Sequence, residues 1–302
     1  MISIQNVSKF ILSDVNVYIP KGVVVGLIGS SGAGKTTLLK LACGLLESEK
    51  GSVKTFGMNP VKERKKLSLK MRSYFSDRFF FQGDDTVIEQ FRLLQNVYCM
   101  NQEKYWDEYH LLAERLKFSE YEGKRVDRLS LGERRRAELA FMLMGNQELL
   151  LFDEPTNGLD ELGKLAFWEQ IEKKKKEGAT ILISSHNMTE VQQLCDRILL
   201  IDEGKILYYG DGEQLMRRYA PINQIEVRYT GMIPDMDDLP LLRYSIEGDF
   251  LKLEYNSNHV SAAEIMQRIM EQTPIVRVNI IRQNLADVIL RRKEKSENEL
   301  FD

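Results

Sequence analysis

The fold of this chain is decided by one short stretch near its N-terminus, Gly29-Ser30-Ser31-Gly32-Ala33-Gly34-Lys35-Thr36. It matches the phosphate-loop pattern G-x-x-x-x-G-K-[ST], in which glycines let successive backbone N–H groups point inward. A β-branched run over 23–28 precedes the stretch and predicts a buried strand, and a helical pattern over 37–42 follows it. This order predicts a phosphate-binding site; a chance glycine-rich turn is the alternative.

The last two residues of this stretch carry the chemistry of the predicted site. We expect the Lys35 ammonium to reach the β- and γ-phosphates of a bound nucleotide and the Thr36 hydroxyl to ligate Mg²⁺. The helix that begins here adds unpaired N–H donors and a partial positive charge. The stretch therefore predicts that a phosphate chain binds together with Mg²⁺.

A second strand ends in two acids, Asp153 and Glu154, which follow the apolar run 149–152. Such a run fits a central parallel strand that is buried on both faces. Because ligands in such sheets bind beyond the carboxyl ends of the strands, we expect Asp153 to hold Mg²⁺ through water. Glu154 is then placed to orient or deprotonate an attacking water. Two solvated acids at a strand end are the alternative.

Three more residues are candidates because of where they stand in the pattern. His186 ends the strand over 180–185 and is expected to sense the γ-phosphate beside the two acids, although a lone histidine is more often structural. Ser130 and Glu133 fit an S-x-x-E capping box, which marks either a plain helix start or a second phosphate-binding helix N-terminus. Phe10 lies between the first two strands and either stacks on adenine or packs at the core.

Composition excludes several classes of protein. A net charge of −3 does not imply a general nucleic-acid-binding surface. The cysteines, Cys43, Cys99 and Cys195, are far apart and odd in number, which favours a reducing compartment over a disulfide framework or a zinc site. The N-terminus lacks a signal-peptide pattern, and no apolar run approaches the roughly 18 residues that span a bilayer. We expect a soluble, cytoplasmic protein, and any membrane part would be another chain.

The arrangement of patterns along the chain predicts its domains. Alternating strands and helices over 1–218 predict a parallel sheet with covered faces, and this first domain includes a helical subdomain at about 84–145. The pattern changes beyond residue 218. A small α+β accessory domain is predicted over 219–292, and a charged tail over 293–302.

The motifs together resemble those of the ATP-binding cassette (ABC) ATPases over residues 1 to about 218. The stretch from Gly29 to Thr37 looks like the Walker A motif, and 149–154 looks like the Walker B motif with its catalytic glutamate. Residues 129–133 look like the family signature. The resemblance implies an α/β P-loop NTPase cassette, in which a mixed sheet carries helices on both faces and a helical subdomain is attached.

Two further motifs and the C-terminal part extend the resemblance. Leu159-Asp160 looks like the D-loop, and His186 looks like the switch histidine. The residues after 218, including a segment over 278–290, are similar to the accessory domain of export ATPases of the daunorubicin-resistance type. This similarity implies export as the direction of transport.

The resemblance implies that two cassettes meet head to tail and that each ATP lies between one chain's Lys35 loop and the partner chain's Ser130 and Gly132. The residues thereby assigned to ATP are Phe10, Gly29, Ser30, Ser31, Gly32, Ala33, Gly34, Lys35, Thr36, Thr37, Asp77, Ser130, Gly132, Glu133 and Asp160. Catalysis is assigned to Lys35, Glu154 and His186. Mg²⁺ is assigned to Thr36, Asp77 and Asp153.

Three positions depart from the family pattern. Leu131 stands where the signature usually has glycine, and its side chain would crowd the nucleotide although its N–H survives. Glu133 stands where glutamine is usual, so its carboxylate suits a helix N-terminus but adds repulsion near phosphate. Asp77 stands where the lid loop usually carries glutamine, with Gln82 as the other candidate. These changes concern turnover and site symmetry.

The resemblance implies an ATP-hydrolysing subunit of a bacterial-type ABC exporter, peripheral on the inner face of the cell membrane. Its expected partners are a separate transmembrane permease subunit and a second ABC ATPase chain, as a homodimer or heterodimer; no nucleic acid is expected. The alternative is a soluble ABC ATPase that acts on ribosomes or nucleic acid. Such relatives usually carry two cassettes or a long coiled coil, and neither pattern is found here. An importer subunit and a non-hydrolysing regulatory subunit are further readings, and Glu154 and His186 argue against the second.

Overall fold

The structure is a computed structural model that describes residues 1–97 and 102–282. The chain divides into two compact units, Met1–Tyr209 and the residues from Gly210 onward. Sequence analysis put this boundary after residue 218, whereas the helix at 212–219 falls in the second unit. The charged tail predicted over 293–302, the end of the predicted accessory domain and Cys99 lie outside the described residues.

The first unit contains strands and helices that alternate along the chain. Its strands are β1 (Ile2–Lys9), β2 (Leu12–Ile19), β3 (Val24–Ile28), β4 (Lys50–Thr55), β5 (Met71–Phe75), β6 (Leu149–Asp153), β7 (Thr180–Ser184), β8 (Arg197–Asp202) and β9 (Lys205–Gly210). Its helices are α1 (Lys35–Ala42), α2 (Arg64–Leu67), α3 (Val87–Val97), α4 (Gln102–Arg115), α5 (Leu131–Leu143), α6 (Glu161–Lys176) and α7 (Met188–Leu194). The range predicted as a helical subdomain, about 84–145, contains α3, α4 and α5.

A six-stranded sheet with the order β5-β6-β7-β3-β8-β9 forms the centre of the first unit. The pairs β5–β6, β6–β7, β7–β3 and β3–β8 are parallel. Every residue of β6 is buried, because its two faces pack into different cores. Leu149 and Leu151 join the core that contains α1, whereas Leu150 and Phe152 join the core formed with α5 and α6. The parallel sheet with covered faces is thus confirmed.

A separate three-stranded antiparallel sheet, β2-β1-β4, packs on the core that contains α1. In the core on the opposite face of the central sheet, aromatic side chains pack α3, α4 and α5 against one another. Phe91 of α3 stacks on Phe118 and meets Tyr109 of α4 edge to face, with ring centroids 5.6 and 4.8 Å apart. Phe141 of α5 lies against the same Phe91 ring at 5.9 Å. These aromatic residues are part of the core on this side of the sheet.

The second unit is built from α8 (Gly212–Tyr219), α9 (Ala262–Met270) and four strands. The strands are β10 (Ile222–Tyr229), β11 (Leu241–Glu247), β12 (Phe250–Asn256) and β13 (Ile275–Arg282), paired antiparallel in the order β11-β12-β10-β13. Ile265 and Ile269 of α9 pack with the buried strand residues Ile225 and Leu253. Across the described part of both units, no helix has the length and apolar composition needed to cross a membrane.

Candidate functional site

The loop 29–34 joins the end of β3 to the start of α1, and two of its glycines have no room for a side chain. Gly29 has a φ of 156°, and a Cβ there would lie 2.0 Å from the carbonyl oxygen of Ile201. Gly34 has a φ of 110°, and a Cβ there would lie 2.5 Å from Leu12 Cδ2. The loop therefore curls against β2 and β8 in a way that only glycine permits.

Lys35 begins α1 and turns its ammonium group back into this loop. Its Nζ donates hydrogen bonds to the carbonyl oxygens of Gly29 at 2.8 Å and Ser30 at 3.1 Å. Burial lowers the pKa of Lys35, and the nearby carboxylates of Glu154 and Asp153 oppose this shift. The ammonium thus lies where the loop encloses it, with two acids as its nearest electrostatic partners.

Asp153 is the buried acid that connects three elements at the carboxyl ends of the strands. Its Oδ2 accepts a hydrogen bond from the Thr36 hydroxyl at 2.7 Å, and its Oδ1 accepts one from the Ser184 hydroxyl at 2.5 Å. Oxygen ligands of this kind suit Mg²⁺, which is commonly held by one or two protein groups plus substrate phosphates. Among residues 1–97 and 102–282, no group of three or more His, Cys, Asp or Glu side chains could hold a metal ion by itself.

Glu154 follows Asp153 in a strained backbone conformation, with a φ of 50°. Its N–H donates to Ser184 Oγ at 2.9 Å, and its Oε1 lies 3.0 Å from His186 Nε2. Burial raises the pKa of Glu154, opposed chiefly by His186 and Lys35. The Glu154 side chain is only 12% exposed, whereas that of His186 is 56% exposed. A carboxyl group with a raised pKa beside an open cleft suits a general base.

The cleft beside Glu154 and His186 has a volume of about 370 Å³. Its other walls come from the turn after β6, from the first turn of α6 and from the start of α7. They include Asn157, Leu159, Lys164 and Glu190. The two candidate catalytic side chains therefore face space that a substrate water can enter.

The predicted capping box is present at the start of α5. The Ser130 N–H donates to Glu133 Oε2 at 2.7 Å, and the Glu133 N–H donates to Ser130 Oγ at 3.3 Å. Lys124 Nζ lies 3.1 Å from Glu133 Oε1, so a cation balances the carboxylate that departs from the family pattern. These contacts lower the pKa of Glu133. Leu131 is 49% exposed and lies against Gly158.

Asp160 and Asp77 each have a partner inside the chain. Asp160 Oδ1 accepts a hydrogen bond from the Gly163 N–H at 2.9 Å, which caps α6, and it forms an ion pair with Arg136 of α5. Asp77 Oδ2 lies 3.2 Å from Lys40 Nζ, one helical turn beyond Thr36 on α1. Asp77 is therefore paired with a lysine of the helix that follows the phosphate loop.

Phe10 is 70% exposed and has a φ of 53°, at the turn between β1 and β2. That turn lies beside the phosphate loop, because a Cβ at Gly34 would lie 3.4 Å from Cγ2 of Ile11, the next residue of the turn. Lys9 Nζ lies over the ring, 4.7 Å from its centroid. Gln82, the other candidate for the lid loop, donates from Nε2 to the Phe79 carbonyl at 3.2 Å.

The fold brings the two phosphate-loop residues together with the two acids and the histidine, although they come from three distant segments. Ser130 and Glu133, by contrast, lie at the start of α5. The roles of these residues stay predictions. Sequence analysis missed Ser184, which pairs with Asp153 across β6 and β7 and contacts both acids. Its only sequence signal is a hydroxyl two residues before His186.

Comparison with known proteins gives a family match over residues 12–157, described as ABC transporter. The chain is 35% identical over 202 residues to the ABC transporter ATP-binding protein NatA of Bacillus subtilis, which covers 67% of this chain and 82% of that protein. It is 31% identical over 222 residues to the Nod factor export ATP-binding protein I of Burkholderia orbicola, which covers 72% of each.

A solved structure is similar in fold to 70% of this chain. It is a dimeric post-hydrolysis state of the ATP-binding cassette MJ0796 bound to ADP and Pi, with a TM-score of 0.63 and 22% identity over 70% of this chain and 98% of that one. This likeness confirms the predicted P-loop cassette fold. Because the chain is also 35% identical to a relative of which it covers 82%, it belongs to the ABC transporter family, as an ATP-binding protein of such a transporter.

Proposed function

We propose that this chain hydrolyses ATP and uses that reaction to drive a separate membrane subunit, most consistently as the ATPase of an exporter. One observation carries the proposal: Lys35, Thr36, Asp153, Glu154 and His186 converge at the carboxyl ends of parallel strands. A phosphate cradle, a magnesium ligand set and a general base are the parts that phosphoryl transfer to water requires.

Each of these side chains has a definite task in the proposed reaction. The loop N–H groups and Lys35 bind the β- and γ-phosphates, and Thr36 and Asp153 would hold Mg²⁺, which neutralises charge on the phosphate oxygens. Glu154 accepts a proton from the attacking water, and His186 holds both the Glu154 carboxylate and the γ-phosphate. Ser184 positions Asp153 and Glu154 through one hydroxyl group.

The direction of transport and the partners are inferred from relatives and from the surface. One relative is named for Nod factor export, which favours export, and the second unit is a small α+β fold as the exporter resemblance implied. The relatives reported above are transporter proteins, which favours this function over a soluble ATPase acting on ribosomes or nucleic acid. The dimer of the MJ0796 cassette supports pairing of two ATPase chains, identical or different.

The face beyond Asp77 is our candidate contact with the membrane subunit. Phe79 and Phe80 are 40% and 39% exposed there. A cleft of about 210 Å³ adjoins Phe80 and is lined by residues that follow α1 and by residues of α2, β5 and α5, including Leu45, Leu67 and Met142. Exposed aromatic residues beside a cleft of mixed apolar and polar lining are typical of a protein interface, where aromatic side chains are enriched. The chain would then be peripheral on the inner face of the membrane.

Replacing Glu154 by glutamine tests the proposed hydrolysis. Glu154→Gln keeps the size of the side chain but removes the base, so the hydrolysis rate should fall by about 10²–10⁴-fold while ATP binding is retained. Rate is measured by phosphate release and binding by titration with a fluorescent ATP analogue. Glu172→Gln on the exposed face of α6 is the matched control and should change neither quantity. Unchanged hydrolysis in Glu154→Gln would remove Glu154 from the mechanism.

The role of Ser184 can be measured separately from that of Glu154. Ser184→Ala removes the hydroxyl that orients both acids, so kcat should fall by about 10–100-fold, as for other groups that orient ligands. Thr180→Ala is the control because it deletes another buried hydroxyl of β7, which accepts a hydrogen bond from the Gly22 N–H at 2.8 Å. An equal loss in both variants would point to damage to the strand instead.

The altered signature can be tested with a double-mutant cycle. If Lys124 balances Glu133 near the partner's phosphates, Lys124→Met should raise the ATP concentration for half-maximal hydrolysis about threefold. The same change in a Glu133→Gln background should have no effect, because no carboxylate is left to balance. Arg125→Met, which alters a neighbouring exposed cation paired with Asp127, is the control. Equal effects of Lys124→Met in both backgrounds would contradict this pairing.

Purification from membranes tests the transporter assignment. The tagged chain, isolated from detergent-solubilised membranes of its source cell, should bring down a polytopic membrane protein without a solute-binding protein. Phe79→Ser should lower that yield, whereas Phe250→Ser, which alters an exposed phenylalanine of the second unit, should not. Ribosomal proteins or nucleic acid alone would support the alternative, and a solute-binding protein would indicate import.

A further inference from the structure

Three consecutive phenylalanines after Asp77 lie against one face of α5. The α5 residues concerned, Arg134, Glu138 and Phe141, are spaced i, i+4 and i+7 and so share a face of the helix. The Arg134 guanidinium carbon lies 3.8 Å from the centroid of the Phe79 ring, and the same side chain donates a hydrogen bond to the Phe81 carbonyl. The rings of Phe80 and Phe141 stack with centroids 5.1 Å apart.

Glu138 is the buried centre of this contact. It is 0% exposed, and its Oε1 accepts hydrogen bonds from the N–H groups of Phe80 at 2.8 Å and Phe81 at 2.9 Å. Arg134 Nε lies 3.4 Å from the same oxygen. Bonds to an ionised acceptor are stronger than those between neutral groups, so this oxygen holds two consecutive backbone groups firmly.

Burying a carboxylate destabilises the folded state unless both of its oxygens find partners. The described residues provide hydrogen bonds to only one oxygen of Glu138. Glu138 Oε2 has no hydrogen-bond partner in the part of the chain that the structure describes. Burial raises the pKa of Glu138, although Phe81, Arg134 and Phe80 oppose that shift. An apolar residue at this position of α5 would avoid the cost of burial. The presence of an acid at this position is therefore best explained by its hydrogen bonds to the backbone N–H groups of Phe80 and Phe81.

The chain on the other side of Asp77 is also attached to α5. Arg135 donates from its guanidinium to the Ser76 carbonyl at 3.3 Å. Arg135 also donates to the carbonyl of Asn157, which lines the catalytic cleft. Asp77 therefore stands between two segments that are both held by the helix whose N-cap is Ser130.

We propose that Glu138 is a positioning residue that makes segment 76–82 and α5 move as one body. Asp77 pairs with Lys40 of α1, the helix that begins at the phosphate loop, whereas Ser130 is expected to face the partner's ATP. Through this anchor, a movement of Asp77 in one ATP site is transmitted to the signature of the other. The inference rests on the proposed function for the role of the two ends, but the anchor itself can be tested without it.

The anchor is tested with two variants of the full chain. Glu138→Met fills a similar volume but accepts no hydrogen bond, whereas Glu138→Gln keeps an acceptor oxygen and serves as the matched control. Amide hydrogen exchange over residues 76–82 should accelerate about tenfold or more in Glu138→Met and stay near the wild-type rate in Glu138→Gln. Exchange over β12 in the second unit should not change in either variant. Wild-type exchange over 76–82 in Glu138→Met would overturn the anchor.

The positioning role is tested by kinetics in the same variants. In Glu138→Met we expect kcat for ATP hydrolysis to fall about tenfold while the affinity for a fluorescent ATP analogue stays within about twofold, because the loss concerns a step after binding. Glu138→Gln should restore most of kcat. Faster exchange over 76–82 with an unchanged kcat would reduce Glu138 to a structural role and overturn the proposal.

A further measurement needs no variant and covers the case in which Glu138→Met fails to fold. In the wild-type chain, exchange over 76–82 and over 130–138 should change in the same direction when ATP is added. A change in one segment alone would overturn the proposal. If the wild-type chain did not hydrolyse ATP, the proposed function would fail, while exchange over 76–82 would still decide whether the anchor exists.

Discussion

The rest of the first unit's site depends on the two hydrogen bonds that the Asp153 carboxylate accepts. The carboxylate accepts them from Thr36 at the start of α1 and from Ser184 at the end of β7. It can do so only because β6 is buried on both faces, which fixes the strand end beside the phosphate loop. Glu154 directly follows this strand with a φ of 50°, and its Oε1 lies 3.0 Å from His186 Nε2. Sheet packing thus determines the geometry of the acids.

Helix α5 is the second organiser of the unit. Its N-cap is Ser130, its arginines reach the Ser76 carbonyl and Asp160, and its buried Glu138 holds the backbone after Asp77. These contacts join to one helix the segments that sequence analysis predicted as the signature, the D-loop and the lid loop. The dense aromatic packing around Phe141 explains why the helix can carry such contacts without bending away.

Each residue that departs from the family pattern has a neighbouring residue that balances its charge or leaves room for its side chain. The carboxylate of Glu133 is paired with Lys124, and the carboxylate of Asp77 is paired with Lys40. Leu131 lies over Gly158, which has no side chain to meet it. The negative charges of Glu133 and Asp77 are therefore each compensated by a lysine, and the Leu131 side chain has room beside a glycine. The altered residues are compatible with a functional cassette, since the balance is achieved inside one chain.

The sequence by itself determined the phosphate loop, the buried strand that ends in Asp153 and Glu154, the capping box of α5 and the α/β class. These follow from glycine backbone freedom, hydrophobic periodicity and capping chemistry, all of which act over a few residues. Only the tertiary structure decided that Ser184 contacts both acids, that Lys40 and Lys124 neutralise Asp77 and Glu133, and that Glu138 anchors residues 80 and 81. Those contacts join residues far apart in the chain, and no local pattern encodes them because they depend on how strands and helices pack.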